Sequence, residues 1–189
     1  MAKIILQNVR CSYVFVSAPR KKEGGEDGKF GVQILLGKKD PQVKKLNTLV
    51  KKVLVEKFGE EATKKLGKYK LPVRDGDEER DGEEYAGIFF MNANSGNKPG
   101  IVNRSNEPAD QADIEEYCYS GAYFHVSVNI YAFKSTDGGK PGIALGLNNL
   151  MLRKKGDRLD GSVAATSEFS EFGSDDSDSD DDDDFDIGF

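Results

Sequence analysis

The stretch Gly121–Lys134 reads GAYFHVSVNIYAFK, and its alternation is nearly unbroken. Ala122, Phe124, Val126, Val128, Ile130 and Ala132 fall on one side of a period-two pattern, and Tyr123, His125, Ser127, Asn129, Tyr131 and Phe133 on the other. Successive side chains of a strand point to opposite faces, so the first set is a core face. The second set mixes flat rings with hydrogen-bonding groups, too polar for a core and too poor in charge for an ordinary solvated face. Such a face suits unstacked bases, which lie on aromatic rings while Lys and Arg follow the phosphates, each stacked base contributing about 1–3 kcal/mol. Rings on a second face also pack under helices and loops. Tyr123, Tyr131 and Phe133 therefore stand between surface stacking and a second layer of core.

Strand patterns surround this one. Downstream, Lys134 and the turn STDGGKPG lead into GIALGLNNLMLRKKGDR, which alternates until Arg153, Lys154 and Lys155. At the other end, KIILQNVRCSYVFVSAP has a period close to two, with Tyr13 and Phe15 on one side and Val14 and Val16 on the other. After the polar loop PRKKEGGEDG, KFGVQILLG sets Phe30, Val32, Ile34 and Leu36 against Lys29, Gly31 and Gln33, the pattern of a half-buried strand. YAGIFFMNANS returns to β structure and is followed by the turn GNKPG and a short IVNR.

One segment changes period. Asp40 before Pro41 is an N-cap followed by proline at the first helical position, and Val43, Leu46, Val50, Val53 and Leu54 recur at helical spacing to about Phe58. EEATKKLG adds a short helical piece. From Lys38 to Lys70 there are 11 basic and 4 acidic residues, a net +7, whose bland reading is a solvated helix face.

The charge of the whole chain hides a division. The 189 residues carry 27 Lys+Arg and 33 Asp+Glu, a net −6, yet 11 of the acids lie in Ser167–Phe189, which has no basic residue. Residues 1–166 therefore hold 27 basic against 22 acidic residues, a net +5. A body of that length makes one domain able to bury its apolar side chains unaided. Residues 167–189 are low in complexity and self-repelling, the composition of a disordered tail. Its acidic run ends in FDIGF, and Asp181, Asp182, Asp183, Asp184, Phe185 and Phe189 are candidate partner-binding residues.

Several function classes are excluded or weakened. His125 is the single histidine, so no site needing two is available. Phosphate loops, dinucleotide fingerprints and nucleophile elbows are absent. DGDEERDGEE, residues 75–84, reads as a solubilising loop, since its acids lack the spacing of a calcium loop. No metal, no cofactor and no catalytic residue are expected, and the chain is not read as an enzyme. Cys11 and Cys118 read as reduced core residues. Neither a signal peptide nor a membrane span is evident, so the chain reads as cytosolic and soluble with no membrane partner.

LGKKDP before the lysine-rich helix, RDGDEERDGEEYAGIFFMNANSGNKPGIVNR, YSGAYFHVSVNIYAF and GIALGLNNLMLRKKGDRLDG together carry a resemblance. The chain resembles the single-stranded DNA-binding proteins of tailed bacteriophages, an OB-fold family whose acidic C-terminal tail ends in an aromatic residue. Tyr-x-Gly before the long strand and Gly-x-x-x-x-Leu-Asn-Asn after it are the more specific parts, and the tail matches as well. The resemblance implies a mainly β chain: a five-stranded OB-fold-like barrel with an inserted α-helix over residues 1–166 and a disordered acidic tail over 167–189. It further implies binding of single-stranded DNA without strong sequence preference, in phage replication and recombination and the associated DNA repair, within the cytoplasm of the infected bacterial host. Replication proteins such as a DNA polymerase or helicase-primase are then expected at the tail. In some relatives the tail covers the DNA groove and supports dimers, so a homodimer is among the partners implied.

Strand alternation and charge, rather than the resemblance, select the site. Arg10, Lys29, Lys134 and Arg153 are candidates for phosphates, Tyr13, Phe15, Tyr123, Tyr131 and Phe133 for stacking, and His125 and Asn129 for polar contacts. The acidic tail is expected to compete with DNA for the basic groove. Two rival readings exist: an acidic-tailed interaction or chaperone module that binds no DNA, which predicts that Tyr123 and Tyr131 are buried, and a carboxylate-metal nuclease using residues such as Asp75 and Asp77.

Overall fold

A computed structural model of the protein describes residues 1–135 and 138–161. The expectation of a disordered tail over 167–189 lies outside these residues. Among them the strands are β1 (Ala2–Phe15), β2 (Phe30–Gly37), β3 (Arg74–Asp75), β4 (Ile88–Ser95), β5 (Gly100–Val102), β6 (Tyr123–Phe133) and β7 (Gly142–Lys154). The helices are α1 (Pro41–Phe58), α2 (Gly76–Glu79) and α3 (Gln111–Tyr117).

Five strands make the barrel. The order β4-β2-β1-β6-β7 is antiparallel throughout, and a parallel pairing of Ala93 and Asn94 with Leu145 and Gly146 closes β4 onto β7. Closure removes the exposed edges that an open sheet would present. The long β1 serves both halves, pairing with β6 through Ala2–Arg10 and with β2 through Arg10–Phe15. This is the five-stranded OB-type barrel with an inserted helix that the resemblance implies; the short β3 and β5 lie beyond it at β4 and β7.

Inside the barrel, Leu6, Ile34, Met91, Phe124, Val126, Val128, Ile130 and Leu150 are fully or almost fully buried. The apolar face read in Gly121–Lys134 is thus the core face of β6. The apolar stripe of α1, Val43, Leu46, Val50, Val53 and Leu54, joins the same core, so the helix caps the barrel and turns its lysines outward. Asp40 caps it as expected, accepting the Gln42 N–H at 2.8 Å. The piece after α1 is two 3-10 turns, Glu60–Lys64 and Leu66–Lys68. Cys11 is buried and Cys118 half-buried, both as free thiols; burial raises both, Cys118 to about 12.

Two local readings need correction. Strand β2 is buried on both faces from Gly31 to Leu36, not half-buried. The Leu35 end of its outer face is covered by segment 76–87, which is also more than a solvated loop. Asp75 caps α2 by accepting the Asp77 N–H, Lys38 pairs with both Asp75 and Asp77, and Tyr85 packs edge-on against Phe90 on the outside of the barrel. The acids of this segment thus hold a flap against the sheet.

Candidate nucleic-acid interface

The register of β2 on β4 divides the outer wall of the barrel. Val32 opposite Ala93 and Ile34 opposite Met91 point into the core, so Gly31 opposite Asn94, Gln33 opposite Asn92 and Leu35 opposite Phe90 point out. The flap covers Leu35 and Phe90, forming a small separate core with Tyr85. The other half of the wall is open. It forms a groove of about 370 Å³ whose lining includes Tyr13, Phe15, Arg20, Lys29, Arg80 and Asn92.

Each side of the groove has a local cause. On β1, Ser12 faces Gln33 and Phe15 faces Gly31, so one extra residue is accommodated in between as a β-bulge. Tyr13 sits in that bulge with φ +48°, left-handed backbone that a bulky residue rarely adopts. The bulge throws its ring outward, leaving it 54% exposed. Residues 20–29 form a small hairpin arm: the Arg20 N–H donates to the Lys29 carbonyl at 3.1 Å, the Gly28 N–H to the Arg20 carbonyl at 2.8 Å, and Gly24 and Gly25 turn the tip at positive φ. Lys21 pairs with Asp27 and Lys22 with Glu26 along the arm. Arg20 and Lys29, at its base, have no carboxylate partner among the described residues. From the flap, the Arg80 guanidinium lies over Tyr85 and Phe90, 5.7 and 5.3 Å from the ring centres.

The groove floor is a hydrogen-bonded set. Gln33 Oε1 accepts from the Tyr85 hydroxyl at 2.6 Å and from Ser12 Oγ at 3.0 Å, while Gln33 Nε2 donates to Asn92 Oδ1 at 3.1 Å. Burial pushes the Tyr85 phenol up, keeping it a neutral donor. At Gly31 a side chain would strike Asn94 Oδ1, so glycine lets that amide lie across β2. The result is a cationic trough with two rings and a row of amides, and no carboxylate among its lining residues.

The structure brings together three of the residues selected from the sequence, Tyr13, Phe15 and Lys29. The others lie on the β1–β6–β7 side. Arg10 is held by the fold, its guanidinium donating to the Gly121 and Asp157 carbonyls at 3.3 and 2.7 Å. Tyr123 is half-buried with Lys154 Nζ 4.4 Å from its ring centre. His125 Nδ1 accepts the Asn8 N–H at 2.8 Å, and its pKa is lowered by burial and then by nearby Arg153. Asn129 donates to Asn148 Oδ1 at 2.9 Å. Tyr131 is exposed beside the end of α1, Phe133 is half-buried and Lys134 is exposed. The Tyr131 ring contradicts the interaction-module expectation of a buried residue, whereas Tyr123 is intermediate. Asp75 and Asp77 are paired with Lys38, and that cation holds Asp77 below the usual carboxylate range.

Arg20, Arg80, Gln33, Asn92 and Asn94 were not selected by alternation. NAN at Asn92–Asn94 was a legible signal, an amide on each side of a buried alanine within an apolar strand. Arg80 had none, because the flap that aims it is a tertiary arrangement.

Comparisons with known proteins follow the same lines. The sequence profile of the family described as "Enterobacter phage Enc34, ssDNA-binding protein" matches residues 2–185. "Putative protein p50" of Acyrthosiphon pisum secondary endosymbiont phage 1 is 27% identical over 178 residues, 89% of this chain and 93% of that protein. The single-stranded DNA-binding protein of bacteriophage Enc34, solved in complex with ssDNA, superimposes with a TM-score of 0.68 at 20% identity, over 83% of this chain and 89% of that one. The gp2.5 single-stranded DNA-binding protein of bacteriophage T7 gives 0.62 at 14% identity, over 87% and 98%.

Proposed function

Because the chain belongs to the family of the Enterobacter phage Enc34 ssDNA-binding protein, we propose that it coats single-stranded DNA during phage replication and recombination, holding the strand in the groove between β2 and β4. The observation that carries this reading is the groove itself: Tyr13 exposed from a strained bulge, Phe15 beside it, and Arg20, Lys29 and Arg80 around them without a carboxylate. The second and third barrel strands and the loop joining the first two form the OB-fold surface that binds oligonucleotides. Rings stack bases of any identity and cations follow the backbone, so affinity is high without strong sequence preference. Asn92 and Asn94 supply hydrogen-bonding edges without selecting a base.

The acidic segment 167–189 acts as an anionic competitor for the body and as a handle for replication proteins. Its charge of −11 against the body's +5 supports that role. The protein works in the cytoplasm of the infected cell, where phage DNA is copied. One titration tests the whole reading: labelled dT oligonucleotide, duplex DNA and single-stranded RNA at two salt concentrations, with the full chain and with a chain ending at Thr166. Tight salt-sensitive binding of dT, tighter still without the segment at low salt, is expected. Equal affinity of the two chains would remove the competition, and no quenching of tyrosine emission by dT would remove the stacking.

A further inference from the structure

The helical side of the molecule carries a second concave surface, which shares no lining residue with the groove. Between α1 and the two 3-10 turns that follow it, Val50, Leu54, Leu66 and Leu71 line an apolar hollow of about 420 Å³. Leu66 stands 45% exposed at its edge. Thr63 also lines it, but its hydroxyl already donates to the Glu60 carbonyl at 2.8 Å. Asn47 and Lys51 belong both to this hollow and to a shallower depression along the first turns of α1, where Lys38, Lys39 and Lys44 gather. The two make one track, leucines at one end and lysines at the other. At 1.5 Å per helical residue it runs about 20 Å, from Pro41 to Leu54.

The charge of the track is largely unanswered. Lys38 pairs with Asp75 and Asp77, but Lys39, Lys44 and Lys51 have no carboxylate partner among the described residues. The nearby acids are engaged elsewhere: Asp40 caps α1, Glu56 lies 3.9 Å from the N-terminal amine, and Glu61 pairs with Lys64. A nucleic acid would satisfy the lysines and leave the leucines bare, because unstacked bases lie on flat rings and no ring lines the hollow. A second copy of the body, itself net +5 over residues 1–166, is repelled by the same lysines. An acidic segment with an apolar anchor answers both ends of the track.

We propose that this track is a docking site for a different protein, one that presents an acidic segment with leucine-like side chains at its end. The apolar side chains fill the hollow beside Leu66 and Leu71, and the carboxylates lie along Lys51, Lys44 and Lys39. Such a contact joins an apolar anchor to a charged rim, the usual anatomy of a peptide groove. Because the track is separate from the β2–β4 groove, the partner and single-stranded DNA are held together, a step that rests on the DNA-binding reading. The docking itself does not.

The test titrates the full-length chain with a labelled synthetic peptide that carries leucines at one end and a run of glutamates behind them, read by anisotropy. Saturable binding that weakens with salt is expected, and saturating dT oligonucleotide should leave the peptide in place. Leu66→Asp, at a site outside the main core, and Lys44→Glu, at an exposed position, should each weaken it about tenfold. Unchanged affinity in both variants overturns the proposal. Equal affinity for a peptide of the same composition with its leucines scattered also overturns it, since charge alone then accounts for the binding. Displacement by dT does so too, giving the lysines to nucleic acid. A dimer in sedimentation that Leu66→Asp dissolves gives the hollow to a second copy, and binding gained only in a chain ending at Thr166 gives it to the chain's own end; either result overturns the partner. The dT affinity of the parent is measured alongside, so failure of docking and failure of DNA binding are distinguishable.

Discussion

The Tyr85 hydroxyl donates to Gln33 Oε1 at 2.6 Å, tying a flap residue to the middle of β2 across a sequence separation of 52. That bond fixes where the covered half of the outer wall ends and the open groove begins. Tyr85→Phe keeps the ring on Phe90 and removes only the donor, so a loss of about 1 kcal/mol in stability is expected by urea denaturation. A cost near zero would mean that Ser12 alone satisfies Gln33.

Tyr13 separates binding from folding. Tyr13→Ala is expected to weaken dT binding by about 1–3 kcal/mol, on the order of 5- to 150-fold, measured by anisotropy of a labelled oligonucleotide. Tyr13→Gly should lose the same affinity. Its relief of left-handed strain, about 1 kcal/mol, is offset by the larger entropy glycine loses on folding, so its stability should stay within about 1 kcal/mol of the parent.

The groove cations can be counted by salt. Arg20→Gln, Lys29→Gln and Arg80→Gln are each expected to reduce the slope of log affinity against log salt by about 0.7 for a single strand. Arg10→Gln should leave that slope unchanged and lower stability instead, because its guanidinium donates to the Gly121 and Asp157 carbonyls. An unchanged slope in all three groove variants would move the phosphate path elsewhere.

His125 makes folding sensitive to mild acid. Its ring must be neutral at Nδ1 to accept the Asn8 N–H, and burial and then Arg153 lower its pKa from the ordinary 6.5. The unfolded chain therefore binds the proton more readily, and stability falls as pH drops through 6.5 towards the depressed native value. As the sole histidine, its imidazole NMR signals can be followed without assignment, and a midpoint below 6.5 is expected. His125→Gln should flatten the stability profile in that window.

Gly76 tests the flap. A side chain there would land on the Tyr85 carbonyl oxygen, so Gly76→Ala should displace 76–87, uncover Phe90 and withdraw Arg80 from the groove. Lower stability together with weaker dT binding is the expected pair of results. Weaker binding at unchanged stability would instead mean that the flap yields locally.

Periodicity made the barrel legible. Alternation along Gly121–Lys134 and along β1, β2 and β7 marked the core faces, and Asp40-Pro41 with a helical stripe marked α1, because those patterns follow from backbone geometry within one segment. The site was legible only in part. Tyr13, Phe15 and Lys29 of the groove are legible as rings and charge beside strand patterns, and the second face of β6, equally legible, lies on another side of the barrel. Tyr123 was chosen for its ring, and in the fold that ring is half-buried with Lys154 close over it.

By itself the sequence determined the five barrel strands, the helix α1 and its cap, the division of charge at residue 167 and the family, all properties of contiguous residues, but not β3, α2 or α3. Only the tertiary structure decided which outer wall is open. That depends on a bulge turning Tyr13 outward, on the register placing Gln33 opposite Asn92, and on the flap covering Phe90 while presenting Arg80. Each of these joins residues far apart in the chain, and no local pattern records such a pairing.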